Sequence, residues 1–328
     1  MVKEETISII VPAYNESAGI SNTIIEISNK LKTININYEI IIVDDGSNDN
    51  TIEVVANMMS KVPELSIIKL SRNFGKESAI LAGLRLATGN AIITMDADLQ
   101  HPVSLFPSLI DKWREGAKVV HAIKKERKGD SVLTKLRASA FNKMLTKLSG
   151  LETHGASDYK LLDKSIVDVL INNLPERKRF YRGLATWVGY TQDTVEFDVE
   201  ERKLGTGKWS VGALIDLAAT GIVSFTTLPL RIVTILGAIT MILAVIIAAD
   251  ALWSWAMGTA ISGFATTIIT LLIIGSFIMI SLGILGEYVG KIYEEIKARP
   301  EYLVEQVIKG KSTQNQVNST KISSSKNS

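Results

Sequence analysis

The sequence predicts an α/β fold, a mostly parallel sheet with helices on both faces, followed by interfacial helices and a two-helix transmembrane hairpin. Three observations predict it. Between residues 6 and 123, short β-branched runs alternate with amphipathic stretches of helical length, the order that builds a parallel sheet covered on both sides. From Ile232 to Gly286 the sole charge is Asp250, which leaves room for two crossings at ~20 apolar residues each. The chain, at 328 residues, is also about twice the ~150 of a typical single domain, so two parts are expected.

The strand runs come in order as Ile7 to Val11, Glu39 to Val43, Leu65 to Leu70, Ala91 to Met95, and Val119-Val120. In open sheets of this kind ligands sit beyond the carboxyl ends of the strands. Polar clusters follow three of the runs: Pro12-Ala13-Tyr14-Asn15-Glu16, Asp44-Asp45-Gly46-Ser47, and Asp96-Ala97-Asp98-Leu99-Gln100-His101. Neither a Gly-x-Gly-x-x-Gly run nor a phosphate-loop Gly-x-x-x-x-Gly-Lys-Ser/Thr is present, which disfavours dinucleotide enzymes and ATPases. Asp96 and Asp98 are hard oxygen donors two residues apart, a set that suits Mg²⁺ or Mn²⁺ carrying a diphosphate. Taken alone, the pair reads better as two solvated turn aspartates; the strand context and the other two clusters favour the cation.

Beyond the sheet, residues 131–149 carry Lys135, Arg137, Lys143 and Lys147 without an acid, with apolar residues at helical spacing. Such a helix lies on an anionic membrane surface or packs on its own domain. Residues 209–230 hold only Asp216 as a charge, too short a clear stretch beyond it for a span, and are read as an in-plane helix, with a third span as the alternative. The hairpin, residues 231–290, is placed at Ile232 to Trp253 and Ala265 to Tyr288. Its connection lacks Lys and Arg, whereas Arg231 precedes it and Lys291, Lys297 and Arg299 follow, so the positive-inside rule puts both chain ends in the cytoplasm. Residues 291–328 are read as a cytoplasmic tail, disordered from about 309. Small residues such as Gly283 and Gly286 leave room for a homo-oligomer.

Composition removes other classes. With 36 Lys and Arg against 34 Asp and Glu, the net charge of +2 lacks the basicity of a dedicated nucleic-acid binder, so no nucleic acid is expected. The absence of cysteine excludes disulfide scaffolds and thiol nucleophiles. The start, Met1 to Glu5, has no basic segment leading into an apolar one and reads as no signal peptide.

Val11 to Glu16, Val43 to Ser47, Asn73-Phe74-Gly75-Lys76-Glu77, Met95 to Pro102, Ser157 to Asp163, and Glu201 to Ser210, in this order and ahead of two apolar helices, together resemble one family. It is the family 2 glycosyltransferases with a GT-A fold, in the polyisoprenyl-phosphate branch that includes bactoprenol glucosyltransferase and dolichol-phosphate mannose synthase. The resemblance covers all but the tail. It implies metal-dependent inverting transfer of a hexose, glucose or N-acetylglucosamine, from a UDP-sugar to polyprenyl (undecaprenyl) phosphate at the cytoplasmic face of the cell membrane.

By the same resemblance, Pro12, Tyr14, Glu16 and Asp45 hold the uridine with Val43 and Asp44 nearby. Asp96, Asp98 and Gln100 hold the metal and the diphosphate beside Ala97. Arg202 and Lys208 belong to a basic loop over the phosphates, and Asp158 stands as catalytic base or positioning group. Lys135 and Arg137 are candidates to meet the lipid headgroup. Where relatives often carry Arg after the fifth strand, this chain has Lys124 and Lys125, which keep the charge without the bidentate fork. The alternatives are a processive polysaccharide synthase, disfavoured because Gln-x-x-Arg-Trp is absent, and a membrane-anchored binding protein on an inactive transferase fold.

Overall fold

A computed structural model of the chain describes residues 5–124, 156–174, 188–197, 228–258 and 263–310. The chain divides into two units, one comprising residues 1–146, 150–210 and 300–328 and the other residues 147–149 and 211–299.

The first unit is built on strands β1 (Thr6–Ala13), β2 (Asn37–Asp44), β3 (Leu65–Leu70), β4 (Ala91–Thr94), β5 (Val119–Lys124), β6 (Ala156–Asp163), β7 (Gln192–Phe197) and β8 (Val304–Ile308). Among the described residues they form one eight-stranded sheet in the order β7-β5-β6-β4-β1-β2-β3-β8. The centre is parallel: β1 pairs with both β2 and β4, and β2 with β3. β6 is antiparallel to both β4 and β5, β8 is antiparallel to β3, and β7 is parallel to β5.

Helices α1 (Ile20–Thr33), α2 (Thr51–Met58), α3 (Lys76–Leu86), α4 (Phe106–Arg114) and α5 (Lys164–Asn172) flank the sheet. The central strands bury both faces, which is why they read as unbroken apolar runs rather than alternating ones. Ile7, Ile9 and Val11 share a core with Ile20, Ile24, Ile27 and Leu31 of α1, Val55 of α2 and Phe106 and Leu109 of α4. The α1 residues recur at the spacing that lines one helix face. Ile10 points the other way, toward α3. Gly83 of that helix leaves no room for a side chain, since a Cβ there would lie 3.2 Å from Val43 Cγ2 and hard against Ile10. α5 begins where Asp163 caps it, its Oδ1 accepting from Ser165 N–H at 3.0 Å.

The second unit contains α6 (Leu228–Ala256) and α7 (Phe264–Ile296), which touch each other. Both contain a stretch apolar and long enough to cross a membrane, Val233–Ala256 and Ile269–Ile296. At 33 residues α7 is about 50 Å long, well over the ~30 Å hydrocarbon thickness, so it extends beyond any crossing. A Cβ on Gly283 or Gly286 would meet nothing within 4 Å.

Two expectations need correction. Residues 291–308 are not a tail: α7 continues to Ile296, and β8 completes the edge of the sheet. Ion pairing of Lys69 with Glu305 at 2.9 Å and donation by Gly310 N–H to Ser66 Oγ at 3.1 Å fasten it there. In addition, α6 opens at Leu228, inside the segment read as in-plane. The basic helix at 131–149, the rest of 209–227 and the chain beyond 310 lie outside the described residues.

Candidate active site

The loops after β1, β2 and β4 meet at one edge of the sheet because the strands preceding them are parallel neighbours. Polar side chains lace them together. Asn15, held at φ 56°, donates its N–H to Ser47 Oγ at 2.9 Å and accepts Asn48 N–H on Oδ1 at 2.8 Å. Glu16 N–H donates to Thr51 Oγ1 at 2.9 Å. Asp45 accepts from the N–H groups of Phe74 and Gly75 at 2.7 and 2.9 Å, one on each carboxylate oxygen, so it anchors the loop between β3 and α3.

The turn after β4 is shaped as tightly. Leu99 sits at φ 57°, a left-handed conformation costing about 1 to 2 kcal/mol for such a residue. Gln100 N–H donates to Asp98 Oδ1 at 3.1 Å, and Asp96 N–H donates to His101 Nδ1 at 3.1 Å. His101 is buried and stacks on Tyr159 with ring centroids 4.9 Å apart. Tyr159 in turn donates its hydroxyl to Pro102 carbonyl at 2.9 Å.

These loops enclose a cavity of about 390 Å³ lined by Pro12, Ala13, Tyr14, Glu16, Asp45, Asn73, Gly75, Lys76, Asp96, Ala97 and Asp98. Seven expected residues therefore come together: Pro12, Tyr14, Glu16, Asp45, Asp96, Ala97 and Asp98. Val43 and Asp44 are buried behind the cavity, and Gln100 stands beside it without lining it. Arg202, Lys208, Lys135 and Arg137 lie outside the described residues.

Asp158 arrives by a different route. β6 runs antiparallel to β4, so the beginning of β6 lies against the end of β4, and Thr94 Oγ1 donates to Asp158 carbonyl at 2.5 Å. The Asp158 side chain is only 10% exposed. Lys76, the first residue of α3, joins it to the paired aspartates: Nζ lies 2.5 Å from Asp96 Oδ1 and 2.7 Å from Asp158 Oδ2. Lys76 was missing from the expected site. The signal for it was the Asn73 to Glu77 run, to which no role attached.

Charge in the cavity follows from these contacts. Burial works to lower the Lys76 pKa, but Asp96 and Asp158 together hold it above the usual lysine value. Burial pushes the Asp45 carboxyl up, against the pull of its two backbone donors, and raises Asp44 despite the hydrogen bond from Ser47. Asp96 and Asp98 fit a divalent cation chemically. Both are hard oxygen donors facing one cavity, the ligand type that a divalent cation takes alongside phosphate oxygens and water.

The pattern of glycosyl transferase family 2 matches residues 8–170, which include every part of this cavity. An uncharacterized glycosyltransferase of Synechocystis sp. is 40% identical over 300 residues, covering 91% of this chain and 94% of that one. The prophage bactoprenol glucosyl transferase homolog of Escherichia coli K12 is 37% identical over 308 residues, 92% of this chain and 99% of that one. The bactoprenol glucosyl transferase of Shigella phage SfII is 35% identical over 312 residues, 93% and 99%. Among solved structures, glucosyl-3-phosphoglycerate synthase from Mycobacterium tuberculosis, in complex with Mn²⁺, UDP and phosphoglyceric acid, aligns with TM-score 0.44 and 24% identity over 66% of this chain and 76% of that one. With relatives this similar along nine-tenths of its length, the chain belongs to glycosyl transferase family 2 and is a glycosyltransferase.

Proposed function

We propose that the protein transfers a hexose from a UDP-sugar to polyprenyl phosphate, with inversion and with the help of Mg²⁺ or Mn²⁺, at the cytoplasmic face of the cell membrane. The observation that carries this reading is the convergence of Asp96, Asp98, Lys76 and Asp158 at one cavity edge: oxygen ligands for a cation with its diphosphate, adjoining a carboxylate from a separate strand. Relatives named bactoprenol glucosyl transferase, matched over nearly their full length, support a polyprenyl phosphate acceptor.

In this reading an oxygen of the acceptor phosphate attacks the anomeric carbon as the bond from that carbon to the UDP oxygen breaks, and UDP leaves with the bonding electrons. A bound divalent cation supplies charge neutralisation for the departing diphosphate. The chain contributes position. Pro12, Tyr14 and Glu16 border the uridine end, Asp96 and Asp98 the diphosphate end, and Asp158 orients the reacting groups. Arg202 and Lys208 add fixed positive charge over the phosphates.

Topology supports the membrane part of the reading. β7 and β8 belong to one sheet although the apolar helices lie between them in sequence, which supports an even number of crossings between Phe197 and Val304. Two crossings by α6 and α7 satisfy this. The Lys and Arg distribution puts the sheet in the cytoplasm.

The test is to incubate the purified protein and undecaprenyl phosphate with a panel of radiolabelled UDP-sugars and Mg²⁺ or Mn²⁺, following label into the lipid phase. Transfer from a UDP-hexose is expected, with loss in EDTA and a drop on the order of 10² or more in Asp98→Asn. Full activity after exhaustive metal removal, or no labelled lipid with any donor, would overturn it.

A further inference from the structure

Lys76 forms ion pairs with both Asp96 and Asp158, the two acids at the centre of the proposed site. Asp96 sits just past the end of β4, Asp158 lies on β6, and Lys76 opens α3, so its ammonium joins three elements across 2.5 and 2.7 Å contacts. It is no buried strut. The side chain is 39% exposed and lines the same cavity as Asp96 and Asp98, on a flexible four-carbon stem that can re-aim its charge. The two contacts also differ in setting: the Asp96 side chain is 30% exposed, against 10% for Asp158. The Asp96 oxygen that meets Lys76 is nonetheless shut off from solvent, so a cation on that carboxylate, rather than water or salt, is what would displace the ammonium from it.

We propose that Lys76 is a positioning residue that links occupancy of the cation site to Asp158: it neutralises Asp96 when no divalent cation is bound, and surrenders Asp96 while keeping Asp158 when one binds. This rests on the reading of Asp96 as a cation ligand. The physical cause is like-charge repulsion. An ammonium within ion-pair distance of Asp96 and a divalent cation on that same carboxylate repel each other, and the mobile side chain is the partner that moves. A compensating charge also keeps Asp96 and Asp158 side by side without the cost of two unscreened carboxylates. Binding of the cation with its nucleotide then leaves Asp158 with the undivided ammonium, which fixes its orientation at the moment donor is present.

The consequence to measure is that Lys76 opposes cation binding in the absence of nucleotide. Mn²⁺ binding to the full-length protein in nanodiscs, followed by the EPR signal of free Mn²⁺ without donor, should be about tenfold or more tighter in Lys76→Gln than in wild type. Lys76→Arg, which retains the charge, should stay close to wild type. A variant that merely folds poorly would lose affinity rather than gain it, and Lys76→Met, which preserves the stem, repeats the measurement should the Gln variant prove unstable. Unchanged or weaker binding in the neutral variants, with wild-type binding intact, overturns the role of Lys76. Absence of Mn²⁺ binding in wild type with and without UDP, or unaltered binding in Asp96→Asn, overturns the cation site itself and this inference with it.

Discussion

Asp158 and Asp45 show how the same side chain is put to different uses by its partners. Asp45 spends both oxygens on the N–H groups of Phe74 and Gly75, so it shapes the cavity wall. Asp158 instead shares Lys76 with Asp96 and presents a nearly enclosed carboxylate. If the acceptor is a phosphate monoester, its second pKa of ~6 means that at neutral pH it is mostly dianionic and leaves little proton for a base to remove. Asp158→Asn should therefore be severely impaired near pH ~6, where the monoanion still needs a base, and should recover part of its loss by about pH 8 to 9. Initial rates of both proteins across that range, with thermal melts at each pH, decide the matter: a constant mutant-to-wild-type ratio would restore the obligatory base.

The strands on the far side of the sheet, β5, β6 and β7, carry a pH sensitivity separate from catalysis. His121 on β5 is buried, its Nε2 lies 3.0 Å from Gln192 Oε1 on β7, and Lys160 of β6 is close enough to act on its charge. Burial first and Lys160 second lower its pKa to about 4 from 6.5. The unfolded chain thus binds more protons than the folded one between these values, so stability rises with pH across that window. The contribution is complete above about pH 6.5 and drains away as pH falls through about 4, at most ~3 kcal/mol for a shift of this size. His121→Gln, lacking the titrating ring, should show a shallower fall in melting temperature between those pH values than wild type. Identical slopes in differential scanning calorimetry would dismiss the assignment.

The loops obey a similar logic of mutual support. Gly46, at φ 70°, is pressed against the backbone beyond β3, where a Cβ would lie 2.7 Å from both Arg72 Cα and Asn73 N. The loop after β2 and the loop before α3 are therefore built as one wall, which is what brings Lys76 to the cavity.

For the molecule as a whole, the return of the chain to its own sheet after two apolar helices is the dominant constraint. β8 must lie on the same side of a membrane as β1 to β7, whichever side that is. Since the protein has no cysteine, single replacements report position cleanly. Met257→Cys, between the helices, should react with an impermeant maleimide added outside intact cells. Lys61→Cys, before α6, and Gln306→Cys on β8 should react only after lysis. Labelling of Gln306→Cys from outside while Lys61→Cys stays protected would refute the even number of crossings, and labelling of both would refute the cytoplasmic side.

The α/β class, the three clusters past β1, β2 and β4, and the two apolar helices were legible because each is written in a local pattern: runs of β-branched residues, turn chemistry and hydropathy. Asp96 and Asp98 needed only adjacency in the chain. Lys76 and β8 did not have that advantage. The Lys76 role depends on an antiparallel β6 that carries Asp158 from 62 positions beyond Asp96 back to the end of β4, and no periodicity encodes which strand a distant segment will join. β8 is five mostly exposed residues with polar neighbours, the pattern of a surface tail, and it becomes a strand because β3 offers an open edge of N–H and C=O groups to pair with. Local sequence determined which elements form and where the acids stand, whereas long-range pairing decided which charges meet.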